Sequence, residues 1–138
     1  MSTDEVFVTG WPKPKGYANG RVGHGDALHI GGQIGWDERG HFGDQGLVPQ
    51  FAKALDNVLA VVRAGGGTPS DIATMTVYVT SIADYRTSRS QLGPIWRERM
   101  GQHYPAMALV AVTALVEPDA VVEIEAVAYI SRHAGGQP

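Results

Sequence analysis

The chain contains no cysteine, which excludes disulfide cross-links, cysteine-ligated zinc and a thiol nucleophile together. It also lacks any cluster of basic residues. Its 11 lysines and arginines are scattered, 14 acidic residues outnumber them, and the net charge is −3. Nucleic-acid partners normally meet a basic stripe, so none is expected. No window approaches the roughly 18–20 consecutive apolar residues of a membrane span. Residues 1–10 carry Asp4 and Glu5 and lack the apolar stretch of a signal peptide. A cytoplasmic protein with no membrane partner is therefore expected. The five histidines show no metal-ligand spacing, and no lysine follows Gly65-Gly66-Gly67, so neither a metal site nor a phosphate loop is indicated.

What is present fits one globular domain over residues 1–138, with 43% hydrophobic and 18% charged residues. Glycine and proline concentrate in residues 10–46 and in the tail, where 133–138 is expected to fray. Short strands are expected at Glu5 to Val8, Gly20 to His24 and Ala27 to Gly31, with Gly25-Asp26 as a hairpin turn between the last two. Leu47, Phe51, Leu55, Val58, Leu59 and Val62 recur at three- and four-residue steps, which predicts an amphipathic helix ended by Gly65-Gly66-Gly67.

Residues 73–80 alternate as a strand. Ala73, Met75, Val77 and Val79 take one face, and Thr74, Thr76, Tyr78 and Thr80 the other. A second helix is expected from Asp84 to about Met100, burying Tyr85, Leu92, Ile95 and Trp96, with a kink or break at Gly93-Pro94. Strands near Met107 to Thr113 and Val121 to Ile130 close the chain, joined by a turn at Glu117-Pro118-Asp119. In the last strand Val122, Ile124, Ala126, Ala128 and Ile130 suit packing under helices. Val121, Glu123, Glu125, Val127 and Tyr129 face the other way, and no third layer exists to cover them. Assembly with further copies would cover that face.

Read in order, several segments resemble the Rid family, also called the YjgF/YER057c/UK114 family. They are Gly16-Tyr17, Gly31-Gly32-Gln33-Ile34, residues 54–58 (Ala-Leu-Asp-Asn-Val), residues 76–80 with Asp84-Tyr85, Tyr104-Pro105-Ala106, and residues 122–126. The resemblance implies an α+β fold of chorismate-mutase type, a mixed sheet with two helices packed on one face. It also implies a homotrimer whose sheets close into a central barrel, with small-molecule clefts between subunits. Family members hydrolyse enamines and imines such as 2-aminoacrylate to keto acids and ammonia, without metal or organic cofactor.

The resemblance also assigns site residues. Glu123 matches the glutamate that positions water; the alternative is an interface ion pair or a solvated edge. Tyr17 matches a tyrosine that lines the cleft, and Gly32 a residue whose backbone approaches the ligand. Gly31 falls where several members carry serine, and Leu109 where some carry cysteine. Met107 stands where the family has the arginine that grips the substrate carboxylate, so the usual substrate, bound in the usual way, would leave a charge unpaired at a cost of several kcal/mol. Arg89, at a helix position where members often carry asparagine, can reach the same carboxylate from another side; otherwise it is a solvated helix residue like Arg86, Arg97 and Arg99. With Gly31, Met107 and Leu109 replacing polar groups, the pocket should prefer a more hydrophobic ligand. Three functions follow in order: an enamine or imine hydrolase, a metabolite-binding trimer without chemistry, and an endoribonuclease.

Overall fold

The computed structural model describes residues 2–43 and 46–131, so the tail expected to fray at 133–138 lies outside the described residues. Strand β1 (Thr3–Val6) pairs antiparallel with β2 (Gly20–Gly23). Strand β3 (Asp26–Gln33) leads to helix α1 (Leu47–Ala64), a short turn at Pro69–Asp71 and strand β4 (Ile72–Val79). Helix α2 (Ile82–Met100), β5 (Ala106–Ala111) and β6 (Val122–Ile130) complete the order.

The main sheet runs β3-β6-β4-β5, with β4 and β5 parallel and both other pairs antiparallel. Parallel neighbours need a crossover, which α2 supplies between β4 and β5. Strand β3 is also parallel to β4, with β6 between them, and α1 makes that second crossover. This is the mixed sheet with two helices that the sequence implies.

Alternation decides the faces. Met75, Val77 and Val79 of β4 and Val122, Ile124, Ala126 and Ala128 of β6 are all buried, in one core with Phe51, Leu55, Val58, Leu59 and Val62 of α1 and Leu92, Trp96 and Met100 of α2. Helix α1 lies against β3 and β6, whereas α2 packs mainly on α1. Arg99 fixes that helix pair, its Nε donating to Asp56 Oδ1 at 2.7 Å. Helix α1 ends as expected: Gly66 takes φ 93°, and the amides of Gly66 and Gly67 donate to the carbonyls of Arg63 and Val62.

Several expectations are corrected. The first strand begins two residues early, because Thr3 is buried with its hydroxyl on Ser70 O, and Phe7 and Val8 are left exposed. Gly25-Asp26 does not close a hairpin: β2 pairs with β1 and β3 with β6, so the chain passes there from the small sheet to the large one. Strands β5 and β6, consecutive in sequence, are separated in the sheet by β4. Helix α2 runs unbroken through Pro94. A residue before proline resists helical geometry through its Cβ, and Gly93 has none. The carbonyl of Ser90, which loses its donor to proline, sits on the exposed side.

Gln50 ties the last connection to α1. Only 1% exposed, its amide donates to Asp119 O at 2.9 Å and accepts from Val121 N at 2.9 Å. Gln50→Ala strands both backbone groups and is expected to destabilise the fold by about 1–3 kcal/mol in urea at fixed protomer concentration. A loss below about 0.5 kcal/mol, the scatter of ordinary surface substitutions, would show that this tie contributes nothing.

Candidate functional site

Between α2 and β5 lies a cavity of about 440 Å³. Met107 and Leu109 pair in register with buried Met75 and Val77, so both point to the helix side of the sheet and line this space. Phe51 of α1 and Leu92 and Trp96 of α2 add further apolar surface. The indole ring of Trp96 stacks on Tyr104 with centroids 5.8 Å apart and planes 5° apart, and its N–H donates to His103 O at 3.2 Å. Tyr17 reaches the cavity because the next residue, Ala18, is buried and extends the sheet edge, its amide donating to Pro105 O at 2.9 Å.

Among the described residues three cations border the same cavity, namely Lys15, Arg89 and Arg97, and no carboxylate does. Reading the sequence placed Arg89 but missed Lys15 and Arg97. The available signal was the i, i+4, i+8 spacing of Arg89, Gly93 and Arg97 on one helix face. Arg99, grouped with the solvated residues, is instead the partner of Asp56.

Glu123 is elsewhere. It pairs in register with Tyr78 and so points to the open face of the sheet, opposite the helices. Strand β3 carries an extra residue between Ile30 and Gln33, a bulge formed by Gly31 and Gly32. This aims Gly32 at Glu123: a Cβ there would stand 1.9 Å from Glu123 Oε2. Gly31 borders a separate depression on that face, with His29, Thr74, Thr76 and Glu125. Tyr78 donates its hydroxyl to Glu125 Oε2 at 3.0 Å, and this bond above all holds the phenol above its ordinary pKa of 10.0.

The sequence-selected residues therefore form two groups within one chain. Tyr17, Arg89, Met107 and Leu109 share the cavity, while Gly31, Gly32 and Glu123 lie on the other face. Trp36 is in neither, and packs on Phe42 with centroids 6.2 Å apart. His24 meets Asp4 at 3.1 Å. Among the described residues no group of three or more His, Asp or Glu can hold a metal ion, and no helix is long and apolar enough to cross a membrane.

This chain has counterparts among known proteins. Residues 12–130 match the family described as Endoribonuclease L-PSP. A RutC family protein of Pyrococcus horikoshii is 30% identical over 125 residues, covering 90% of this chain and 95% of that one. The human 2-iminobutanoate/2-iminopropanoate deaminase is 30% identical over 102 residues, covering 73% of this chain and 71% of that one. A crystal structure of a protein of unknown function of the conserved Rid family, from Yersinia pestis, superposes with a TM-score of 0.80 at 30% identity, covering 94% of this chain and all of that one. The chain belongs to the Rid family.

His103 props the cavity wall. Its Nε2 donates to Ile72 O at 2.8 Å, and burial above all holds its pKa below the ordinary 6.5. Between the folded and unfolded pKa values the unfolded chain binds more protons, so this contribution is complete above about pH 6.5 and is lost as pH falls through the lower folded value. The denaturation midpoint should drop between about pH 7 and pH 5, and His103→Gln should drop less over that window. Parallel profiles for the two proteins would remove His103 from the acid response.

Proposed function

We propose that this chain is a cytoplasmic, homotrimeric hydrolase that deaminates a small enamine or imine in a cleft between subunits. The observation that carries this reading is the division of the site residues. The ligand-sized cavity opens on the helix side of the β5 edge, and Glu123 points from the opposite face. A site that uses both must be built from two copies. The open face offers surface for it: Val110 is 44% exposed, and Thr74, Ala108 and Glu125 are also exposed. The human relative's name as an imine deaminase supports the same reaction class.

The chemistry requires only water and proton transfer. A water held by Glu123 adds to the imine carbon as Glu123 accepts its proton, and the nitrogen is protonated. The resulting carbinolamine then expels ammonia as its hydroxyl becomes the carbonyl of the keto product. The apolar surface of Met107, Leu109 and Trp96 keeps other water from the reacting carbon.

Met107 favours a second reading, in which the same clefts bind a metabolite without turning it over, because β5 brings no cation to the cavity. The endoribonuclease description of the family fits this chain less well. Its net charge is −3, and the cavity's three cations border one pocket rather than tracking a strand.

The test is a coupled assay with 2-aminoacrylate generated in place, with light scattering on the same samples. Particles of three times the 14.7 kDa protomer mass are expected. Keto-acid formation should fall about 10²-fold or more in Glu123→Ala. Gly32→Ala, whose Cβ would stand 1.9 Å from Glu123 Oε2 and so push the carboxylate aside, should follow it with little loss of stability. A monomer, or equal rates for wild type and Glu123→Ala, would sink the proposal. Inactive wild type with activity gained in Met107→Arg would leave the scaffold standing and move its substrate elsewhere.

A further inference from the structure

We infer that the cavity between α2 and β5 selects an aromatic carboxylate, gripped by Arg89 and Arg97 across Gly93. The inference deepens the proposed function, since it names the substrate class for that same cleft.

Arg89, Gly93 and Arg97 succeed one another at four-residue steps along α2, and all three border the cavity. Helical side chains lean toward the helix N-terminus, so Arg97 leans toward Arg89. Gly93 gives it room. A Cβ on Gly93 would stand 3.2 Å from Arg97 Nη1, which places the guanidinium directly over the glycine. Two arginines of one helix face thus border the pocket, as does Lys15.

None of these three cations has an ion-pair partner among the described residues, whereas Arg21, Lys53 and Arg99 each do. Arg86 is also unpaired, but it does not border the cavity. What marks Arg89 and Arg97 is that they face a space with no carboxylate of its own. A guanidinium bordering such a space suits a planar carboxylate, which accepts paired hydrogen bonds from the fork.

The remainder of the ligand is defined by the rest of the lining. Met107 and Leu109 supply aliphatic surface and no charge, and Trp96 stacked on Tyr104 supplies a flat one. Aromatic rings pack well against both. The volume of about 440 Å³ falls within the roughly 300–1,000 Å³ of small-molecule sites and is far more than a two-carbon acid fills.

The experiment is titration calorimetry with phenylacetate, which has no imine and cannot be turned over, alongside acetate and neutral phenylacetamide. Phenylacetate should bind wild type at least about tenfold more tightly than acetate, through burial of the ring. It should bind about 10- to 100-fold more tightly than phenylacetamide, through the charged hydrogen bonds. Arg89→Gln and Arg97→Gln should each forfeit a similar factor, and Arg86→Gln should not. Glu123→Ala should bind phenylacetate at least as tightly as wild type, so loss of turnover and loss of anion binding are read separately. Equal affinity for acetate and phenylacetate, or for phenylacetamide and phenylacetate, would overturn the inference. Unchanged binding in both Arg89→Gln and Arg97→Gln, or no phenylacetate binding to wild type, would do so as well.

Discussion

Strand β6 is hydrogen-bonded on both sides, to β3 and to β4, so its side chains have only two directions open to them. Val122, Ile124, Ala126 and Ala128 take the helix side and are essentially without solvent contact. Glu123 and Glu125 must take the other. A one-residue slip would drive both carboxylates into the apolar core, so burial under the helices holds this register strongly. The separation of Glu123 from the cavity is thus a consequence of how the core is filled. It cannot be relaxed without unmaking the core.

The cavity has a complementary origin. Helix α1 seats on β3 and β6, and α2 leans on α1 rather than directly on β5, held by the Arg99–Asp56 pair. The space left at the sheet edge is bounded by the side chains that α2 and β5 present to each other. Gly93 serves two ends there. It lets the helix continue into Pro94, and it clears the ground on which the Arg97 guanidinium lies.

Much of this was legible in the amino-acid order. The apolar steps of α1, the alternation of β4 and the two faces of β6 follow from local periodicity, and the structure places all three within a residue or two of expectation. Strand neighbours were harder, because pairing is a long-range property. Nothing near Gly25 announces that β3 pairs with residues 124–130 rather than with β2. The bulge at Gly31-Gly32 was hidden for the same reason, being a mismatch between two distant strands. The site residues were named from family resemblance, and their division between faces emerged only from register. Arg97 and Arg99 look alike in sequence, yet Asp56 captures one and leaves the other at the cavity.

The three tryptophans differ sharply in their surroundings. Trp11 is 61% exposed and Trp36 38%, while Trp96 is 7% exposed and stacked on Tyr104 in the cavity wall. A collisional quencher dissolved in water reaches the first two and is largely barred from the third. The chain therefore carries its own shielded fluorophore at the place where a ligand would sit. Its emission, once the exposed pair is quenched, is an intrinsic optical gauge of occupancy that needs no label.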